Sequence, residues 1–196
     1  METQNPIYFE FDLADNYVDV SKPFDYNTLL YTVVNKDNQP PAKENSLYLT
    51  IDNRWFTEII EGRKDKEYRE IKNTTVNRYL DLQKTKDSVY ARDDAPDDLP
   101  LGIFMFNNGY FPFFPRAYAY LKLAVGYNKN RAWAIIEVKA ISFEPAMDDN
   151  GIILRFTLDE NVSDEDAMTP DGEGAFWTIV YHLGKIVEYH PKGETI

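Results

Sequence analysis

Residues 46–51 set Leu47, Leu49 and Ile51 between polar or wettable neighbours, an alternation of period two. That pattern predicts a strand with one buried face. The period then changes. Trp55 and Ile59, and Phe56 and Ile60, stand four apart; this spacing predicts an amphipathic helix that buries all four on one side. Asp52 or Asn53 supplies its N-cap. Gly62 falls just past the last apolar residue, where a left-handed cap commonly ends a helix. Residues 66–71 then read as a second strand. Thr74 or Thr75 opens a second helix, with Val76, Tyr79 and Leu80 turned inward.

Further along, residues 101–106 read as a buried strand and residues 132–143 as another, carrying Ile135, Ile136, Val138 and Ile141. Asp148-Asp149-Asn150-Gly151 predicts a hairpin turn into residues 152–158. Residues 176–189 are apolar and strand-like, interrupted at Leu183-Gly184-Lys185. Before residue 46, a short strand over 7–11 and an apolar run over 28–34 precede a turn at 35–41. Two acidic stretches, 93–100 and 159–174, read as loops. The expected organisation is an N-terminal extension (1–45) packed on or linked to one domain (46–190), with a tail over 191–196. Many short strands with glycine turns and at least two helices predict a β-rich α+β fold, a mixed barrel or closed sheet.

Composition sharpens this picture. Fourteen Tyr and twelve Phe among 196 residues favour strands, where aromatic side chains pack well on a pleated surface. A net charge of −12 opposes non-specific DNA binding at long range, so any nucleic-acid contact must come from a local patch. With no cysteine, disulfides, thiolate zinc sites and cysteine nucleophiles are excluded. His182 and His190 are the only histidines, and no metal or cofactor is implied. No apolar run approaches the ~20 residues of a membrane helix. The N-terminal residues lack a signal-peptide pattern, which makes the cytoplasm the expected location.

The chemistry concentrates at Gly62-Arg63-Lys64-Asp65-Lys66-Glu67-Tyr68-Arg69, which reads G-x-K-x-x-E-x-R. On a strand, Glu67 and Arg69 share a face, with Lys64 in the turn before it. Over a cavity, Glu67 would accept hydrogen bonds from Lys64, Arg69 or a ligand amine, and Arg69 offers a planar fork for phosphate or carboxylate. Tyr68, Tyr110 and Trp133 are candidate stacking residues for a base. Asn108 or Tyr110, in the turn 107–110, would reach the ligand. On an open strand face the same charges would only pair with one another, at ~0–1 kcal/mol per pair. A second basic-aromatic cluster joins Lys122, Lys129 and Arg131 with Tyr127 and Trp133. The aromatic run 110–118 reads as core packing or a partner surface. His182 reads as a structural histidine. The 148–151 turn lacks the spaced carboxylates of a calcium loop.

The order of strand, amphipathic helix, Gly62, Lys64, Glu67, Arg69 and further strands resembles the ASCH domain, a branch of the PUA-like β-barrels. The closing run Trp177 to Ile186 is similar to the last barrel strand of some bacterial members. The resemblance implies a small barrel with a cleft beside the helix, lined by the motif charges, that binds RNA or nucleotides. Some members hydrolyse the acetyl amide of acetylated cytidine nucleosides with the motif lysine and a threonine three residues on. Here that position is Glu67, which departs from the hydrolytic pattern.

Three functions follow as expectations. The first is a binding module for RNA or a nucleotide or nucleoside, with Gly62, Lys64, Glu67, Tyr68, Arg69, Asn108 and Tyr110 at the ligand. The second is a hydrolase of modified nucleosides or RNA, with Lys64 as base or electrostatic stabiliser and Glu67 as proton carrier. The third is a module that binds a protein partner through its aromatic surface and acidic loops.

Overall fold

The computed structural model describes residues 7–10, 30–72, 74–81, 114–157, 168–169, 172 and 174–193. Asn108, Tyr110, the strand expected over 101–106 and the acidic stretch 93–100 lie outside them. In chain order the elements are β1 (Ile7–Glu10), β2 (Tyr31–Asn35), β3 (Ser46–Ile51), α1 (Asn53–Ile60), β4 (Lys66–Glu70), α2 (Val76–Tyr79), β5 (Tyr120–Val125), β6 (Trp133–Pro145), β7 (Arg155–Phe156), β8 (Gly174–Ala175) and β9 (Trp177–His190). The protein is a β-rich α+β fold with two short helices among the described residues.

The long strands β6 and β9 are the spine of one mixed sheet. They pair antiparallel from Trp133↔His190 to Pro145↔Trp177, with register shifts between Ile135 and Ala140. Gly184 sits in this bent region. A Cβ there would lie 2.6 Å from Glu137 Oε2 and 3.0 Å from its Cβ, so any larger residue would have to displace the Glu137 side chain. The other edge of β6 is shared: its first half pairs with β5, and Ala140 and Ile141 pair with β2. β3 then joins β5 in parallel, β1 joins β2, and β4 joins the first half of β9. β1 and β2 fall in the stretch read as an N-terminal extension, yet both are strands of this sheet. Tyr31 of β2 is 1% exposed and meets Phe143 edge-on at 6.0 Å.

The inner face carries the core. Leu47, Leu49 and Ile51 of β3 pack with Leu121, Leu123, Ile136, Ile179 and Tyr181, under Phe56 and Ile59 of α1. A smaller cluster of Ile7, Ala119, Tyr120 and Ile135 covers part of the outer face.

Two expectations are corrected. The sheet is not closed into a barrel: β3 and β4, its terminal strands on this side, do not pair with each other. Side chains span the seam instead. Arg69 Nη2 of β4 donates to Thr50 O at 2.9 Å, and Arg78 Nη2 of α2 donates to Tyr48 O at 2.7 Å. Both acceptors are carbonyls on the edge of β3 that faces away from β5. Guanidinium groups thus satisfy carbonyls that a closing strand would have used, and they blunt an edge otherwise open to pairing with another chain. The helix face is also corrected. Phe56 and Ile59 are buried, Ile60 is partly buried, and Trp55 is 45% exposed.

Candidate functional site

The site begins at the end of α1. Asp52 accepts a hydrogen bond from Arg54 N at 2.8 Å and caps the helix start. At the other end, Gly62 N donates to Ile59 O and Arg63 N to Glu58 O, the paired bonds of a Schellman cap. Gly62 has φ +74°, a conformation glycine adopts without steric cost. The reversal turns the chain directly into β4, so Lys64 in the turn stands beside Glu67 and Arg69 on the strand's inner face.

These groups line a solvent-open cleft of about 730 Å³, bounded by Thr50 and Ile51 of β3, Asp52, Trp55 and Glu58 around α1, and Arg63, Lys64, Glu67, Tyr68 and Arg69. The cleft therefore occupies the seam between β3 and β4. Its centre is Glu67, 4% exposed. One carboxylate oxygen contacts Lys64 Nζ at 2.6 Å and the other Arg69 Nη2 at 2.7 Å. Charge-assisted bonds of this kind are roughly twice as strong as neutral ones. They are also what makes burial of a carboxylate tolerable. Arg69 Nε, and the hydroxyl of Tyr181 opposite Glu67 on β9, are buried with no hydrogen-bond partner among the described residues. Burial pushes the Tyr181 phenol well above its ordinary pKa.

Two aromatic rings flank the buried charges. Lys64 Nζ lies 5.9 Å from the Trp55 ring centroid and 5.5 Å from that of Tyr68. Tyr68 is 44% exposed; desolvation, then the nearby Glu144 carboxylate, raise its pKa, so it stays a neutral phenol at neutral pH. Arg54 rests over Trp55 at 4.6 Å. At the rim, Arg63 makes two bonds of 2.8 Å to Glu58 and also pairs with Glu61. The Arg63 bond holds the Glu58 carboxyl below its ordinary pKa. Arg63, Lys64 and Arg69 on the lining are matched by Asp52, Glu58 and Glu67. The cleft is thus formally neutral, with every one of those cations already paired.

Of the residues the sequence singled out, Lys64, Glu67, Tyr68 and Arg69 come together in one cleft, and Gly62 shapes the turn that brings them there. Trp133 does not join them. Lys122 Nζ lies 4.0 Å over its ring, and His190 stacks on it at 4.0 Å and 19°. Lys122 comes from β5 and His190 from β9, on either side of β6. Both faces of the indole are covered, which leaves no surface for a base. Sequence reasoning missed Trp55, Thr50, Asp52 and Glu58 as lining residues. The signal for Trp55 was present: with a step of about 100° per residue, Phe56 and Ile59 fall in the middle of the apolar arc and Trp55 at its margin.

Among the described residues no group of three or more His, Cys, Asp or Glu side chains is arranged to hold a metal ion. No family model matches the chain, and neither a curated protein nor a solved structure matches it. The functional reading therefore rests on the side chains of the cleft.

Proposed function

We propose that the protein is a binding module that holds one base of a nucleoside, nucleotide or RNA in the seam cleft, as the resemblance to the ASCH domain implies. The carrying observation is Glu67, buried and fixed between Lys64 and Arg69, in a cleft whose mouth exposes Trp55 and Tyr68. An ion-pair cluster serving stability alone has no need of two large, wettable rings beside it. A base stacked on either ring lies within reach of the Lys64 donors that Glu67 leaves free. Base–aromatic stacking contributes about 1–3 kcal/mol, so binding of a single nucleotide is expected to be weak and specific.

Titration calorimetry against nucleosides, nucleoside monophosphates and short RNAs tests this reading. Saturable binding is expected, weakened about 5- to 150-fold by Trp55→Ala and also by Lys64→Ala. Absence of heat with all three ligand classes, from folded wild-type protein, contradicts it.

A second reading, a hydrolase of modified nucleosides, draws on the Lys64–Glu67 contact of 2.6 Å in a water-accessible cleft. Lys64 would act as base or electrostatic stabiliser, and Glu67 would carry the proton. Incubation with acetylated cytidine separates the two readings: released acetate that disappears in Lys64→Ala favours the enzyme, and binding without release favours the module.

A further inference from the structure

The cations of the cleft are all engaged by carboxylates, so a ligand phosphate must find its charge elsewhere. The nearest candidates lie along β3. Tyr48 and Thr50 are two apart and share the outer face of the strand, a separation of about 7 Å. Thr50 lines the cleft, and Tyr48 is 40% exposed. Around Tyr48 gather three cations. Arg131 Cζ lies 5.7 Å over the Tyr48 ring. Lys122 is its register partner on β5. Arg78 grips the Tyr48 carbonyl at 2.7 Å. Among the described residues none of the three forms an ion pair, in contrast to Arg63, Lys64 and Arg69. In a chain of net charge −12, three cations with no ion pair among the described residues thus stand beside an exposed ring and next to a cleft.

We propose that the cleft continues into a second subsite on the outer face of β3, formed by Tyr48 with Arg131, Lys122 and Arg78, and that the ligand is a single-stranded oligonucleotide. One base enters the cleft, the next stacks against Tyr48, and the phosphate between them faces the cations. Stacking platforms with flanking basic groups suit single strands, whose bases are free to splay. The formally neutral cleft takes a neutral base, and the unpaired cations take the charged linker. This inference rests on the cleft reading above.

Fluorescence anisotropy and calorimetry on the full chain would compare ribonucleoside monophosphates with RNA and DNA trimers, over a range of salt. The trimer of at least one sugar type is expected to bind at least 10-fold tighter than its monophosphate. Tyr48→Ala should weaken the trimer by about 5- to 150-fold and the monophosphate far less. Arg131→Gln with Lys122→Gln should flatten the salt slope of the trimer by about 0.7 per lost phosphate contact. Tyr48 is exposed, and Lys122 and Arg131 are half-buried, so the melting curve of each variant checks its fold. A trimer that binds no tighter than a monophosphate overturns the second subsite and leaves the cleft standing. Tyr48→Ala weakening both ligands equally overturns it as well. No binding of either ligand brings down the cleft reading with it.

Discussion

Glu67 is the most deeply buried charged residue of the site. Its side chain is buried, and its two oxygens hold Lys64 and Arg69. Glu67→Gln keeps the shape and removes the charge, so two cations then face each other without an anion. Removing a buried partner of this kind costs about 1–3 kcal/mol, and a chain of this size loses roughly 2–4 °C of melting temperature per kcal/mol. Thermal unfolding of the variant should therefore shift down by several degrees. An unchanged midpoint would mean the triad contributes nothing to the fold. His182 makes a second residue-level prediction. It meets Ser142 Oγ at 2.9 Å, and burial, then the Lys66 charge, lower its pKa from 6.5. Below pH 6.5 the unfolded chain takes up a proton that the folded chain resists, so the stability this histidine gives near neutral pH is lost as the pH falls. Melting temperatures of wild type and His182→Gln between pH 7.5 and 5.5 should diverge, with the shallower slope in the variant. Equal slopes would contradict the shift.

At the scale of elements, the junction of α1 and β4 positions the site. Gly62 has φ +74° and nothing within 4 Å of a would-be Cβ, so Gly62→Ala meets no clash and pays only conformational strain, about 1–2 kcal/mol. A fall in melting temperature together with weakened nucleotide binding is expected, because the turn that carries Lys64 loosens. Loss of stability with unaltered binding would show that the turn does not set the cleft. This junction was legible in the sequence: a period-two strand, a helical arc, a glycine and a charged strand follow one another in residues 46–71. β6 and β9 were equally plain, because their apolar runs are long. β5 was missed. Its alternating Leu121 and Leu123 are short, follow a proline-punctuated aromatic stretch, and pair in parallel with a strand some seventy residues earlier. Local pattern carries no information about such a partner.

Across the whole molecule, the defining feature is the open seam. Closure or opening of a sheet depends on whether its two terminal strands meet, a long-range outcome that the alternation within each strand does not encode. Here β3 and β4 stay apart; Arg69 of β4 and Arg78 of α2 reach the free β3 carbonyls, and the cleft occupies the gap. The motif spacing showed that Glu67 and Arg69 share a face. It did not show that the face would look into a seam, nor that Trp55 would stand at its mouth. The net charge of −12 repels a polyanion at long range, which fits a local, short-footprint contact better than broad adhesion to nucleic acid. The most direct test is an NMR titration of nitrogen-15-labelled protein with ribonucleoside monophosphates, followed by an RNA trimer. Saturable shifts are expected at the Trp55 indole and the amides of Thr50 and Lys64 to Arg69, spreading to Tyr48 with the trimer. Shifts confined to another surface, or none at saturating ligand, would contradict the cleft reading.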